Sequence, residues 1–257
     1  RKMMRSRQVV ALSVRLSTHA RPRALASSSG GRPSLTLEQA ITSGHLILTE
    51  LQAPACLSVL ESARGGDKLV KWQQANTVLI QATLRALPQV GFPANAAGLQ
   101  GYNEAFAENA RSDQLEARAA LQGLNEQKWR ILLKHGFECE PAQPLALTAA
   151  RALAIDIVDA MQDPELLKQM ATSRTGLAAR LSDAEHQHMI SRAIVCVQAE
   201  VMEKHGFKGD AGYAQAHVCL MEHAHDAVVT ASVAAATTGL YARAGIDLSA
   251  AFKQVGS

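Results

Sequence analysis

Hydrophobic positions along this chain recur at the spacing of an α-helix over most of its length. Leu37, Ile41, Leu48 and Leu51 share one helical face, because residues three, four or seven positions apart lie on the same side of a helix. No stretch alternates β-branched and polar residues between turn signals, as a half-buried strand would. The pattern therefore predicts an all-α fold of the helical-bundle type.

Short motifs mark where several helices begin. Thr36 with Gln39, and Ser182 with Glu185, form capping boxes, in which two side chains bond the free amides of a first turn. Pro54 predicts the start of a short helix, because proline is tolerated in the first turn. The pattern also predicts a long helix over about 67–87, a pair of helices over about 98–135, and a helix from Ser182 to about His205.

Gly-Phe pairs follow three of these predicted helices, at Gly91-Phe92, Gly136-Phe137 and Gly206-Phe207. The last two belong to the same tetrapeptide, Lys-His-Gly-Phe. Basic residues in a last turn complement the helix dipole, and glycine adopts the left-handed conformation of a helix end. The phenylalanine then covers the preceding turn. The three pairs therefore predict three helix C-termini.

The chain also carries an internal similarity. When residues 35–66 are shifted by 110 positions onto residues 145–176, nine of 32 positions are identical, Pro54 and Pro164 among them. A period of this length indicates a duplicated domain and not a solenoid of short repeats. We expect helical domains over residues 34–140 and 141–257, with Glu140–Pro144 as the linker.

The basic charge of the chain belongs to its N-terminal segment. Residues 1–33 contain eight Lys or Arg and no acid, which leaves 18 basic and 23 acidic residues in the remainder. A segment rich in Arg and Ser and free of acids is typical of an organelle transit peptide. We expect a disordered extension over residues 1–33 and a mitochondrial location, with the plastid and the cytoplasm as alternatives. Because the remaining body is net negative, a nucleic-acid partner is not expected.

No segment predicts a membrane span. Residues 227–242 are uncharged, but they number only 16 and are rich in Ala and Thr, whereas a span needs about 20 strongly apolar residues. A buried core helix is the interpretation that the sequence favours. Four cysteines lie far apart without a CxxC pair and are typical of reduced thiols.

These motifs together resemble the small eukaryotic family known as protein C-ten. That family has a first helix with Glu-Gln-Ala, a proline turn, and a later helix that ends in Gln-x-Glu-Val and Gly-Phe before an acidic loop. The matching residues are Glu38-Gln39-Ala40, Pro54, Pro164, Gln198, Glu200, Val201, Gly206, Phe207 and Asp210. The two halves depart from the pattern at Thr83, Pro88, Thr148–Ala150 and His205. The resemblance implies a compact helical fold and a cytoplasmic setting, and it implies no activity or cofactor.

One stretch, residues 186–226, concentrates side chains of the types that bind metals. With Glu185 just before it, its members are Glu185, His186, His188, His217, Cys219, Glu222, His223, His225 and Asp226. On a helix, Cys219 and His223 share a face, as do Glu222 and Asp226. Four such groups could hold zinc if two helices brought them together, but no HExxH or CxxC motif accompanies them. A solvated helix face is the favoured interpretation, and a metal site is the alternative.

No other motif predicts a reaction. Gly206, Gly209 and Gly212 follow a helix, whereas a dinucleotide-binding loop follows a strand; we interpret them as a loop after a helix end. Trp72 and Trp129 lie in helical patterns and are expected as core anchors. We assign no catalytic, cofactor-binding or metal-binding residue from the sequence.

The function that the sequence favours is that of a non-enzymatic helical scaffold or protein-interaction protein. It would act with other proteins, as an accessory subunit of a mitochondrial assembly. The alternative is a metal-binding protein or an enzyme that uses residues 186–226, and a subunit anchored to a membrane through residues 227–242 is a third, weaker possibility.

Overall fold

A computed structural model describes residues 34–110, 115–175 and 180–247 of the chain. Every regular element in these ranges is helical, which confirms the all-α prediction. The α-helices are α1 (Leu37–Gln52), α2 (Pro54–Ser62), α3 (Lys68–Ala86), α4 (Ala96–Ala110), α5 (Leu115–Phe137), α6 (Leu147–Met161), α7 (Pro164–Ala171), α8 (Asp183–Lys204), α9 (Gly209–Glu222) and α10 (Ala227–Arg243). A 3-10 turn over Leu87–Val90 follows α3. The predicted extension, residues 1–33, lies outside the described residues.

Helix starts follow the sequence signals closely. The hydroxyl of Thr36 accepts from the amide of Gln39 at 3.2 Å, and the amide of Thr36 donates to Oε1 of Gln39 at 2.9 Å. The same reciprocal pair joins Ser182 and Glu185 at the start of α8. Pro54 opens the short helix α2 as expected. Both predicted capping boxes are therefore confirmed.

Two of the three predicted Gly-Phe helix ends are confirmed. Gly91 and Gly206 have φ of 85° and 91°. In each case the amide of the following phenylalanine donates to a carbonyl five residues earlier, Phe92 to Leu87 and Phe207 to Met202, both at 3.0 Å. The prediction at Gly136 is wrong, because α5 continues through Phe137 and Glu138 takes the positive φ instead. At this helix end, Nε of Arg64 donates to the carbonyl of His135 at 2.8 Å, so a side chain from another part of the chain provides the hydrogen bond that the free carbonyl needs.

The glycines after Phe207 are not a loop. Gly209 begins α9 and Gly212 lies within its first turn. A Cβ added at Gly212 would overlap the backbone of Phe207, which crosses this turn. Glycine at this position therefore permits a close approach between α9 and the segment that precedes it.

The order and packing of helices repeat along the chain. In the first half, residues 34–140, α1 packs against α3, α4 and α5; in the second half, residues 141–247, α6 packs against α8, α9 and α10. The short helices α2 and α7 both begin with proline, and they contact α5 and α10 respectively. These correspondences favour the predicted duplication, which a superposition of the halves would test.

One hydrophobic core serves both halves. Trp72, Leu87 and Leu133 of the first half belong to the same buried cluster as Ile157 and Met202 of the second. Helix α9 of the second half connects the two halves, because it packs against α3 and α5 of the first half as well as against α8 of its own. At the edge of the junction, Nζ of Lys71 on α3 lies 2.9 Å from a carboxylate oxygen of Asp210 on α9.

Helix α10, which covers the uncharged stretch of the sequence, buries one face. Val229, Ala234, Thr237, Leu240 and Tyr241 are buried, while the residues between them are half-buried or exposed. In the described ranges, no helix reaches the combination of length and hydropathy that crossing a bilayer requires. The expectation that residues 227–242 form a core helix therefore holds for one face of α10 and not for its whole circumference.

Candidate functional site

A cleft of about 150 Å³, partly open to solvent, lies at the junction of the two halves. Four helices line it, each with residues at helical spacing. They are Leu69, Trp72, Gln73 and Asn76 of α3; Ser191, Ile194, Val195 and Gln198 of α8; Tyr213, His217, Leu220 and Met221 of α9; and Val229, Thr230, Val233, Ala234, Thr237 and Tyr241 of α10, with Ala224 before it. Because α3 comes from the first half, the cleft exists only when the halves are packed together.

His217 is held in the cleft wall by aromatic rings. Its imidazole stacks on the indole of Trp72 with ring centres 4.8 Å apart and an interplanar angle of 21°. The ring of Tyr213, one turn earlier on α9, meets it edge-on at 4.6 Å. Trp72 in turn stacks with Trp129 of α5 at 6.1 Å. Both tryptophans are buried, which confirms them as core anchors.

Nε2 of His217 has no hydrogen-bond partner among the described residues, although it is buried. Burial lowers the pKa of His217 from 6.5 to about 4, because the charged imidazolium would lose its hydration there. The side chain is therefore neutral at pH 7. A neutral imidazole has one donor and one acceptor nitrogen, so Nε2 is a donor or an acceptor according to the tautomer.

The hydroxyl groups of the cleft lining donate their hydrogen bonds to other groups of the protein. The hydroxyl of Tyr213 donates to Oε1 of Gln198 at 3.1 Å, and Thr237 donates to the carbonyl of Val233 at 2.8 Å. Ser191 donates to the carbonyl of Gln187 at 2.8 Å, so that the hydroxyl of Tyr241 donates to Ser191 at 2.7 Å. His217 is thus the lining group whose buried polar atom is left without a partner.

The side chains singled out by the sequence in residues 186–226 do not converge on one site in the described ranges. His186 on α8 is buried, its Nε2 bonds the hydroxyl of Ser173 at 2.9 Å, and its Nδ1 accepts from Nε of Arg174 at 3.0 Å. Since Nδ1 accepts, Nε2 donates, and the serine hydroxyl donates in turn to the carbonyl of Met170. His186 therefore fixes a turn and does not activate the serine. Burial and the charge of Arg174 lower its pKa.

Cys219 on α9 and His223, the residue that follows its last turn, lie on the same side as predicted, but this side binds the linker between the halves. Residues 139–146, here called the strap, have no regular secondary structure and lie against α9. Gln215 donates to the carbonyl of Glu140 at 2.7 Å, Cys219 to that of Gln143 at 3.6 Å, and Nε2 of His223 to that of Leu145 at 2.7 Å. The three donors lie four residues apart on one side of the helix. The predicted linker is therefore docked and not free.

The remaining members of the stretch have separate partners or surroundings. Asp226 caps α10 and binds Arg151 at 2.6 Å, and Glu185 belongs to the capping box of α8. His188 is half-buried and His225 is exposed. Burial and the nearby Glu126 raise the pKa of Glu222. Across the described ranges, three or more His, Cys, Asp or Glu side chains nowhere come together in a way that could hold a metal ion.

Sequence reasoning missed the cleft and the importance of His217. Tyr213 and His217 are one turn apart in a segment whose neighbours are small and apolar, which is a signal that both rings face inward. The pairing of this face with Trp72, 145 positions earlier than His217 in the chain, depends on tertiary packing and has no local signature.

A second buried polar group, Lys128, lies on α5 outside the cleft. Its Nζ is 4.9 Å from the centre of the Phe106 ring. Burial lowers the pKa of Lys128 to about 8, and the face of an aromatic ring attracts the ammonium group only modestly. The pattern of α5 gave no sign that a lysine would lie in the core.

Comparison with known proteins adds no relative, since no protein-family model, curated protein or solved structure matches this chain. The resemblance to protein C-ten therefore stays a prediction from the sequence motifs.

Proposed function

We propose that the protein is a non-enzymatic binding protein that takes up a small molecule in the cleft between its halves. The observation that carries this proposal is the cleft itself, a partly open space of about 150 Å³ whose lining is mainly apolar and holds no Asp, Glu, Lys or Arg. Small-molecule sites in proteins are concave and mostly apolar, with a few polar groups that orient the ligand.

The chemistry of the lining favours binding over catalysis. General acid–base catalysis at neutral pH works best with a group whose pKa is near 7, whereas the pKa of His217 is about 4. The lining holds no Asp, Glu, Lys, Arg or Cys that could act as its partner, and the hydroxyl protons of Tyr213, Ser191 and Thr237 are already donated.

The proposal keeps the non-enzymatic character expected from the sequence and changes the partner from a protein to a small molecule. The exposed large hydrophobic residues of the described ranges lie one each on five helices; they are Val59, Val70, Leu115, Ile155 and Val228. Protein-binding surfaces are more often contiguous apolar patches. A protein partner and a mitochondrial location remain predictions that rest on the sequence alone.

A fragment screen tests the proposal. The full chain would be mixed with a set of small neutral, anionic and cationic molecules while the NMR signals of the two indole N–H groups and the histidine rings are recorded. We expect a subset of fragments to shift the signals of Trp72 and His217. His217→Gln should abolish or weaken these shifts, whereas His188→Gln, a change on α8 outside the cleft lining, should preserve them. The proposal is wrong if no fragment perturbs the cleft signals.

A further inference from the structure

We infer that the cleft takes a small hydrocarbon, of about the size of one six-membered ring, and excludes molecules of the same size that carry polar atoms or charge. This inference rests on the proposed function and specifies the class of its ligand. Three observations carry it: the polar side chains of the lining bond to the protein itself, none of the lining side chains is charged at pH 7, and the space is small.

Four polar side chains of the lining donate a hydrogen bond to the backbone carbonyl four residues earlier in the chain. They are Asn76 at 2.9 Å, Ser191 at 2.8 Å, Thr230 at 3.0 Å and Thr237 at 2.8 Å. Bonds of this kind turn the polar end of a side chain towards its own helix, and a hydroxyl held in this way has no second proton for a ligand. The polar residues of the lining therefore add little polar surface to the cleft.

The aromatic side chains of the lining follow the same rule. Tyr213 donates to Oε1 of Gln198 at 3.1 Å, and Tyr241 donates to the hydroxyl of Ser191 at 2.7 Å. Nε2 of His217 has no partner among the described residues, but it is itself buried and so presents almost no surface to the cleft. A ligand therefore meets mainly the hydrocarbon parts of these side chains and of the aliphatic residues around them.

Gln73 of α3 is the exception, because its side chain makes no hydrogen bond within the described part of the chain. It is half-buried and therefore keeps contact with solvent. One partly hydrated amide can pair with one polar atom of a ligand and leaves a second polar atom, on the other side of the ligand, without a partner.

The lining cannot stabilise a charged ligand. Among the described residues that form it there is no Asp, Glu, Lys or Arg. Burial raises the pKa of Tyr213 and of Tyr241 and lowers that of His217, and each of these directions disfavours the charged form of the side chain. A carboxylate or an ammonium group in the cleft would lose its hydration in the same way, without an opposite charge to compensate.

The volume of the cleft sets the size of the ligand. A space of about 150 Å³ equals that of an engineered apolar cavity in another protein, which binds benzene. About one six-membered ring therefore fits. The free energy gained on burial comes from the apolar area removed from water, so a ring without polar atoms obtains this gain in full.

Rings of one size and different polarity test the inference on the full chain, with the indole N–H signal of Trp72 followed by NMR. Cyclohexane, 1,4-dioxane and piperazine share a six-membered ring; the first is apolar, the second is neutral with two oxygens, and the third is positively charged at pH 7. Benzene and pyrazine form the corresponding aromatic pair. The two heteroatoms lie on opposite sides of each ring, so they cannot both point to the open side of the cleft.

We expect cyclohexane to bind more tightly than 1,4-dioxane by about tenfold or more, and benzene to exceed pyrazine by the same factor. The reason is that an enclosed oxygen or nitrogen loses its water without gaining a donor from the lining. Piperazine should show no binding at the cleft, because its charge would be buried without a partner.

Two matched variants connect binding to the cleft. Val233→Phe adds a ring at a lining position of α10 and should weaken the binding of cyclohexane and benzene together. Val228→Phe makes the same change at an exposed position of the same helix, outside the lining, and should leave both affinities unchanged. If Val233→Phe is folded and binds both hydrocarbons as before, the inference is wrong. The comparison of the probes in the unaltered protein does not depend on the folding of either variant.

The outcomes separate the inference from the proposed function. If 1,4-dioxane, pyrazine or piperazine binds as tightly as the hydrocarbon of the same shape, the hydrocarbon class is wrong. If cyclohexane and benzene fail while a polar fragment shifts the signal of Trp72, the class is again wrong and the proposed function stands. If no molecule of any class shifts this signal, both are wrong.

Discussion

His217 should make the stability of the protein depend on pH. Burial lowers its pKa from 6.5 to about 4 in the folded state, whereas an unfolded chain restores the ordinary value. The unfolded state therefore binds a proton more readily, and the folded state loses stability as pH falls below 6.5 towards 4. Above pH 6.5 both states hold a neutral imidazole and the contribution is fully present.

The magnitude follows from the two pKa values. One unit of pKa shift corresponds to about 1.36 kcal/mol, and between pH 7 and pH 5 a group titrating at 6.5 when unfolded and about 4 when folded loses about 2 kcal/mol of stability. No lining side chain carries a countercharge that would oppose this loss. The window stops at pH 5 so that most carboxylates remain ionised.

Urea unfolding at pH 7 and pH 5 measures the effect, with His217→Phe as the reference. The free energy of unfolding of the unaltered protein should fall by about 2 kcal/mol more than that of the variant over this interval. His186, whose pKa is also lowered, is present in both proteins, so its contribution cancels in the difference. Equal losses in the two proteins would refute the claim that the protein lowers the pKa of His217.

Four further changes test other parts of the structure. Phe207→Ala should lower the free energy of unfolding by about 2 kcal/mol because the ring is half-buried. Gly206→Ala should lower it by about 1 kcal/mol, because φ is positive there although a Cβ would meet open space. Urea unfolding measures both, and the reverse order would contradict the Schellman-type helix end. Lys128→Met should raise stability at pH 7 by about 3 kcal/mol, since a lysine with a pKa of about 8 is charged and buried there. A gain as large at pH 10.5 would argue against this cause. His223→Ala should speed limited proteolysis within the strap, because it removes the hydrogen bond to Leu145; an unchanged cleavage rate would mean that this bond does not hold the strap. Residues 3–40 fused to a fluorescent reporter should direct it to mitochondria, as the absence of acids predicts; a diffuse cytosolic signal would overturn this.

Features set by neighbouring residues could be predicted from the sequence, and features set by distant ones could not. The capping boxes at Thr36 and Ser182, and the helix end at Gly206, depend on three to five consecutive residues, and all three are present. The same tetrapeptide failed at Gly136. There, Arg64 reaches the end of α5 from another part of the chain and satisfies a carbonyl that a local helix end would otherwise have satisfied.

The candidate site shows the same division. The sequence correctly placed Cys219 and His223 on one face of α9, but it could not show that the face meets backbone carbonyls of the strap and not a metal. The cleft depends on α3 lying beside α9. One of its walls is formed by Trp72 of α3 together with Tyr213 and His217 of α9, which are far from Trp72 in the sequence. Hydrophobic spacing identifies which side of a helix is buried and carries no information about which helix covers it.

The strap has a consequence for how the protein forms during synthesis. Each of its three hydrogen-bonded carbonyls has a donor that lies 75 to 78 residues later in the chain. At a translation rate of 5–20 residues per second, about 4–15 s separate the appearance of the strap from that of its last partner on α9. Over the same interval Trp72 has no imidazole to stack against. A growing chain therefore exposes an indole face and three unpaired carbonyls of the strap until their partners on α9 and at His223 have been synthesised.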